Sequence, residues 1–240
     1  MAKDFIIIPT YNEKQNIERL IPVIFKLYPD IHIMVVDDNS PDETSEIVKG
    51  MAGQYKNLFL NLRPRKLGLA SAYLETIQKL LNENNDIRSI ITMDADFSHD
   101  PVVIERMLKE ISNYDLVIGS RYIPGGGIKN WGIRRRILSR GGNLYARSVI
   151  GLPTRDLTTG YQCFRKELLE KYDFNSIHST GYAFLMEMKA IAYTLKARTK
   201  EVPITYMERT VGKSKISNRI IYEGIIAPWR IRFSQYIKED

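Results

Sequence analysis

The sequence predicts an α/β fold of Rossmann-like type, with a mainly parallel sheet and helices on both faces. Two observations carry it. Short apolar runs rich in β-branched residues alternate with longer amphipathic stretches, the order that strand–helix–strand units produce. The runs are nearly continuous in Val, Ile, Leu and Phe, as strands buried on both faces are.

In chain order, Phe5–Ile8, Ile31–Val36, Leu58–Leu62, Ile90–Met93 and Leu116–Ile118 read as strands, each bounded by turn residues. Apolar residues at helical spacing between them predict helices at about Lys14–Leu27, Pro41–Tyr55, Leu69–Asn82 and Pro101–Ser112. Ser40-Pro41-Asp42-Glu43 has the pattern of a helix start: a capping hydroxyl, a proline whose missing N–H is harmless in the first turn, and acidic residues near the free amides. Asp100-Pro101 repeats the device. Beyond Gly119 come a glycine-rich turn region at Arg121–Gly127, the basic run Arg134-Arg135-Arg136 with Arg140, a helix ending at Ile150 and a loop at Gly151–Gly160. A helix at about Tyr182–Leu195, a strand near Thr199–Ile204 and a last helix from about Ile216 complete the chain. No repeat and no Gly-, Ser- or Pro-rich linker divides it, so one domain over residues 1–215 followed by an amphipathic helix over 216–240 is the simplest organisation.

A chain of 240 residues, 44% hydrophobic and 26% charged, has the composition to bury its own core, which excludes the disordered and low-complexity classes. Its single cysteine, Cys163, cannot form an internal disulfide and fits a reducing compartment. No stretch approaches the roughly 18 consecutive apolar residues of a membrane-spanning helix. The apolar start breaks at Pro9-Thr10-Tyr11-Asn12 without the small-residue cleavage site of a secretory signal. Lys and Arg number 35 against 28 Asp and Glu, a balance of +7 that favours anionic partners: nucleic acid, phosphate esters or a membrane surface.

In an open parallel sheet, ligands bind beyond the carboxyl ends of the strands, where loops diverge and helix N-termini converge. Polar segments fall at those ends: Pro9-Thr10-Tyr11-Asn12-Glu13, Asp37-Asp38-Asn39, Asp94-Ala95-Asp96 and Gly119-Ser120-Arg121-Tyr122. Each alone also reads as a helix cap; together on one edge they read as a site. The carboxylates of Asp94 and Asp96 can share a hard divalent cation, and with His32, His99 and His178 scattered, Mg²⁺ or Mn²⁺ suits them better than a softer metal. No G-x-G-x-x-G follows the first strand, and Gly212-Lys213-Ser214 has Met207 where a phosphate loop has its leading glycine. Arg209, Lys213 and Lys215 read either as a phosphate clamp or as solvated basic surface. The acidic cluster of Asp37, Asp38, Asp94 and Asp96 speaks against nucleic acid as the partner.

These segments, followed by Arg209-x-x-Gly212-x-Ser214-Lys215, resemble the ordered motif set of the family 2 glycosyltransferases of GT-A fold, from the first strand to about Lys215. Within that family, Ser98-His99 after the paired aspartates, the stretch Trp131 to Asn143 and Asp156-Leu157-Thr158-Thr159-Gly160 resemble the polyprenol-phosphate mannosyltransferases, the dolichol-phosphate mannose synthases among them. The resemblance implies that Pro9, Tyr11 and Glu13 line a nucleotide pocket and that Val36 and Asp38 contact base and ribose. It further implies that Asp94 and Ala95 border the donor, that Arg209 and Lys215 fold over its diphosphate, and that Asp96 and Ser98 hold the metal. Arg121, Arg135 and Ser139 would receive the acceptor phosphate, and catalysis would fall to Asp96, Arg121 and Arg135.

The reaction so implied moves mannose from GDP-mannose to dolichyl or another polyprenyl phosphate by one inverting displacement, with Mg²⁺ or Mn²⁺ as cofactor. An acceptor phosphate is already ionised near neutral pH, so no strong general base is needed. Guanidinium groups suit the task of holding two anions together, because they stay charged and grip phosphate in a bidentate fork. Glu187, on an otherwise apolar helix, reads either as a base or as a carboxylate bonded to a loop or an arginine. Ile216–Tyr236, apolar residues mixed with Arg219, Arg230 and Arg232, reads either as a helix lying on a membrane or as one packed on the core; a membrane-anchoring subunit would serve equally well. The enzyme expected is peripheral, at the cytoplasmic face of a membrane. The competing readings are a UDP-glucose-dependent transferase for the same lipid, or a transferase acting on a saccharide hydroxyl.

Overall fold

A computed structural model describes residues 2–207 and 218–234, with the backbone alone for 218–221. The strands are β1 (Lys3–Thr10), β2 (His32–Asp37), β3 (Leu58–Leu62), β4 (Ile87–Thr92), β5 (Leu116–Ser120), β6 (Gly127–Ile128), β7 (Gln162–Arg165), β8 (Thr199–Pro203) and β9 (Thr205–Tyr206). Seven form one sheet in the order β3-β2-β1-β4-β7-β5-β8, and β6 pairs with β9 beside it. β1 runs parallel to β2 and β4, β2 to β3, and β5 to β8. The helices are α1 (Lys14–Leu27), α2 (Thr44–Ala52), α3 (Leu69–Glu83), α4 (Val103–Glu110), α5 (Ile133–Ile150), α6 (Lys166–Leu169), α7 (Gly181–Thr194) and α8 (Asn218–Arg232).

Successive residues of the buried strands feed opposite layers, the two-residue period of a pleated strand. Ile6, Ile8, Ile33 and Val35 pack with Ile17, Leu20, Val48 and Met107 of α1, α2 and α4. Phe5, Ile7, Met34 and Val36 pack with Tyr73, Ile77, Phe184 and Met188 of α3 and α7. Each such side chain fully removed from water contributes about 1.5–3 kcal/mol, which is why continuous apolar runs identified these strands.

β7 is the strand of the seven-stranded sheet that the sequence did not announce. It lies antiparallel between β4 and β5. Four residues, two of them the polar Gln162 and Arg165 at its ends, make no continuous apolar run, yet Cys163 joins one core layer and Phe164 the other. Running backwards, it begins at the edge where β4 and β5 end, so the loop before it is delivered to that edge.

The helix start expected at Ser40-Pro41 is displaced to Thr44. Asp37, fully buried at the end of β2, draws both the N–H (2.9 Å) and the hydroxyl (2.5 Å) of Ser40 to itself. Asp42 Oδ1 accepts instead from Thr44 N, at 3.1 Å. At α4 the expected device is present, with Asp100 Oδ1 accepting from Val102 N at 3.0 Å.

Gly126 is required sterically: a β-carbon there would lie 2.6 Å from the Ser120 carbonyl oxygen, so only glycine lets the turn fold back on the end of β5. α8 packs one face on the core and leaves another exposed. Ala227 and Ile231 are buried with Ala146, Ile150, Met186 and Ala190 of α5 and α7. Tyr222, Ile225, Trp229 and Phe233, recurring at helical spacing, form an exposed stripe.

Candidate active site

The carboxyl ends of β1, β2 and β4 each turn through a non-glycine residue in the left-handed region: Asn12 (φ 61°), Asn39 (φ 56°) and Phe97 (φ 60°). Asparagine tolerates that conformation; for phenylalanine it costs about 1–2 kcal/mol. The Phe97 turn is held by Asp96, whose Oδ1 accepts from Ser98 N at 3.0 Å, and by the Arg19 guanidinium 5.5 Å from the Phe97 ring.

This turn gathers the acidic half of the site. Asp94 keeps about a third of its side chain exposed (32%), whereas Asp96 and Ser98 are buried. His99 Nδ1 accepts from Asp94 N at 3.0 Å while its ring stacks on Tyr161, centroids 4.7 Å apart. Burial holds the His99 pKa down despite the nearby carboxylates, so the ring is a neutral acceptor with its proton on Nε2. The turn suits a hard cation. Ser98 Oγ is buried with no hydrogen-bond partner, a hydroxyl oxygen with unused lone pairs next but one to a carboxylate. Among the described residues no three His, Cys, Asp or Glu converge, so an ion at Asp96 and Ser98 would take its other ligands from water and a diphosphate, as Mg²⁺ and Mn²⁺ do.

At the ends of β1 and β2, Pro9 stands opposite Val36 in register, and Thr10 Oγ1 donates to Asp37 Oδ1 at 2.8 Å. Tyr11 lies under Lys66, whose Nζ is 3.6 Å from the ring centroid. Glu13 Oε2 accepts from Asn16 Nδ2 at 2.6 Å. Asp38 is buried on this edge, and both its oxygens are engaged within the protein: Oδ1 accepts from Arg63 Nη1 at 2.6 Å and Oδ2 from Gly68 N at 2.9 Å. Its part is thereby to tie the end of β2 to the loop leading into α3, with Arg63 continuing to Ser71 at 2.7 Å and Glu75 at 3.1 Å. The side chains of Val36, expected at the base and ribose, and of Ala95, expected to border the donor, are buried in the apolar layers.

Arg121, expected to receive the acceptor phosphate, is engaged within the protein. Its Nε and Nη2 grip Asp156, each at 2.7 Å, and Nη2 also donates to Thr158 Oγ1 at 2.7 Å. The bidentate fork expected to seize a phosphate is therefore committed to a carboxylate, and Nη1 is the amino group outside those bonds. Arg121, Arg135 and Ser139 are nevertheless brought together, through aromatic rings. The Arg135 guanidinium lies 3.9 Å from the Trp131 ring centroid, and Trp131 meets Tyr206 edge-on at 5.2 Å. Arg121 stands 5.5 Å from Tyr206 and 5.1 Å from Tyr122, whose hydroxyl is 2.6 Å from Ser139 Oγ. Arg209 and Lys215 lie outside the described residues.

Two buried groups on α7 support this edge from below. Lys189 Nζ donates to the carbonyls of Thr159 (2.8 Å), Leu157 (3.1 Å) and Leu185 (3.2 Å), fixing the loop that carries Asp156 and Thr158. Glu187 is buried, and its Oε2 accepts from Ser179 N at 2.8 Å, the loop-bonding role rather than a free base. The supporting parts played by Arg63, Asp156 and Lys189 were not read from the sequence. Asp156 stood in a quoted motif without a role, and a lone lysine on an apolar helix was the available sign of Lys189.

Comparison with known proteins agrees with this geometry. The family model described as glycosyl transferase family 2 matches residues 5–173. A polyprenol monophosphomannose synthase of Mycolicibacterium smegmatis is 38% identical over 234 residues, covering 96% of this chain and 88% of that protein. An undecaprenyl-phosphate mannosyltransferase of Micrococcus luteus is 37% identical over 220 residues, covering 92% and 90%. Among solved structures, glucosyl-3-phosphoglycerate synthase from Mycobacterium tuberculosis, in complex with Mn²⁺, UDP and glucosyl-3-phosphoglycerate, superposes with a TM-score of 0.66 at 15% identity. It covers 96% of this chain and 80% of that one, a likeness of fold.

Proposed function

The chain belongs to glycosyl transferase family 2, with its GT-A fold, and from that premise we propose that it transfers mannose from GDP-mannose to a polyprenyl phosphate such as dolichyl phosphate. The names of the two relatives support the sugar and the acceptor class. The observation that carries the reading is a single loop joining opposite halves of one site. Thr158 bonds Arg121 on the basic side at 2.7 Å, and Gly160 O accepts from Thr92 Oγ1 at 2.6 Å at the end of the strand that leads into Asp94 and Asp96.

The chemistry asks the protein to bring two anions together. An acceptor phosphate oxygen attacks the anomeric carbon as the bond to the diphosphate breaks, and GDP leaves with the electron pair. No proton need be removed from the nucleophile, consistent with Glu187 being bonded to a loop. Asp96 and Ser98 would hold a divalent cation, which supplies positive charge to the leaving diphosphate. Arg135, with Ser139 Oγ and Nη1 of Arg121, would seat the acceptor phosphate. Arg121, neutralised by Asp156, positions the seat more than it adds charge to it. Arg209 and Lys215 would close on the donor diphosphate.

The acceptor resides in a bilayer, and no described helix is long and apolar enough to cross one. The exposed stripe of α8 and the exposed Ile133, Ile137 and Leu138 of α5 support a peripheral enzyme lying on a membrane, and the cytoplasmic face is the side we propose.

A nucleotide that binds only the native state raises its stability, by about 2.7 kcal/mol at a hundredfold excess over Kd. GDP is therefore expected to raise the melting temperature more than UDP or ADP. Mn²⁺ should enlarge the GDP shift and EDTA should remove that gain. A larger shift with UDP would overturn the donor assignment.

A further inference from the structure

Beside the acceptor cluster lies a second basic feature, whose Arg140, Arg147 and Arg155 the reaction above does not use. A cleft of about 450 Å³ opens between the turn after β5 and helix α5, with Arg121, Arg140, Arg147 and Arg155 among its lining residues. Arg140 and Arg147 are two turns apart on one face of α5. Arg155 is held there by its backbone N–H, which donates to Glu201 Oε2 at 3.0 Å. The cleft shares Arg121 and Tyr122 with the acceptor cluster, but Arg135, Ser139 and the Asp94–Ser98 turn take no part in its lining.

Two carboxylates stand near the four arginines, which leaves the cleft net basic. Asp156 is committed to Arg121, and Glu201 accepts from the backbone amides of Arg155 and Asp156. Among the described residues Arg140, Arg147 and Arg155 form no ion pair, and Arg147 Nε is buried without a hydrogen-bond partner. Like charges gathered on one concave surface repel, and a donor shielded from water without an acceptor is unfavourable; an anion seated in the cleft relieves both.

The surroundings say what kind of anion. Leu144, exposed, forms part of the cleft wall, and Ile133, Ile137 and Leu138 are exposed on the same helix. Next to it the exposed stripe of α8 is locked to α5 through Tyr145, whose hydroxyl donates to Ile225 O and accepts from Trp229 Nε1, both at 2.8 Å. A phosphate seat rimmed by exposed apolar side chains matches a molecule with an anionic head and hydrocarbon tails. We propose that this cleft binds the headgroup phosphate of an anionic bilayer phospholipid, one that is not consumed, and so holds the enzyme on the membrane with its acceptor seat toward the lipid. The proposal rests on the peripheral-membrane part of the reading above and not on the identity of the sugar or donor.

Binding of the full chain to vesicles of phosphatidylcholine, with and without phosphatidylglycerol, tests it. Each basic residue seated at an anionic surface strengthens binding about fivefold, so Arg140→Gln with Arg147→Gln and Arg155→Gln should weaken binding to the anionic vesicles by at least tenfold. Binding to phosphatidylcholine alone should be unchanged. The double variant at Arg140 and Arg155, both exposed and so removable without disturbing the core, should show at least half of that loss on a logarithmic scale. A control removing the same charge from α1, α2 and α4, namely Lys26→Gln with Lys49→Gln and Lys109→Gln, should lose no more than about twofold, because screening confines surface charge effects to about 10 Å. Equal losses in cleft and control variants would overturn the proposal, since general charge would explain both. It would also fall if the cleft variants bound anionic vesicles normally while their KM for polyprenyl phosphate in detergent rose, which would make the cleft part of the acceptor seat. Loss of mannosyl transfer with vesicle binding intact in the unaltered protein would count against the function and leave the cleft standing.

Discussion

Asp156→Ala is expected to destabilise the protein by about 3–5 kcal/mol, lowering its melting temperature by roughly 10 °C, although the residue touches no proposed substrate. The side chain is fully buried and accepts three bonds from Arg121: from Nε and Nη2 at 2.7 Å each, and from the backbone N–H at 3.0 Å. Its removal leaves a buried guanidinium without a counterion and takes a compensating charge from the environment of buried Lys189. Asp156→Asn preserves shape but not charge and should lie between. Burial alone would raise the Asp156 pKa; the charge and hydrogen bonds of Arg121 outweigh it and hold the carboxyl below its ordinary 3.8. A native pKa below the unfolded one means that this contribution is fully present above about pH 4 and is lost as pH falls through the native value. Urea unfolding from neutral to acid pH should therefore show a shallower acid loss in Asp156→Asn than in the unaltered chain.

Asp96→Ala is expected to lower transfer by about 10²–10³-fold, the cost of losing one preorganised electrostatic group at a developing charge. Loss of the bond to Ser98 N should by itself cost about 1 kcal/mol of stability. Ser98→Ala gives a sharper contrast. Its hydroxyl is buried and unpartnered, so its removal should leave the melting temperature unchanged or slightly higher while raising the Mn²⁺ concentration needed for half-maximal activity. Equal metal dependence in Ser98→Ala and the unaltered chain would remove Ser98 from the metal site.

Most of the fold is legible in the chain because burial is a local, periodic signal. Lys14–Leu27 emerges as α1 with the expected bounds, and the polar segments after β1, β2, β4 and β5 do share one edge. What was hidden depends on partners distant in sequence. β7 is a strand only because β4 and β5 leave a gap for it. The hydroxyl of Ser40 looks like a cap until a buried Asp37 is found competing for it. Arg121 looks like a free phosphate clamp until Asp156, 35 residues away, closes on its fork, and Arg63 acquires a role only through Asp38, 25 residues distant. Charge pairing between loops has no period, so it is read from a structure.

In the proposed reaction, one acidic, cation-accepting turn and one arginine cluster on the same sheet edge carry mannose to a lipid phosphate. That reaction is tested most directly by incubating the full chain with labelled GDP-mannose, Mg²⁺ or Mn²⁺ and a polyprenyl phosphate, then measuring label extracted into organic solvent. A labelled mannolipid is expected that requires both the lipid phosphate and the metal and is lost in Asp96→Ala. Label that stays in the aqueous phase with every polyprenyl phosphate offered, from a protein that still binds GDP, would contradict it.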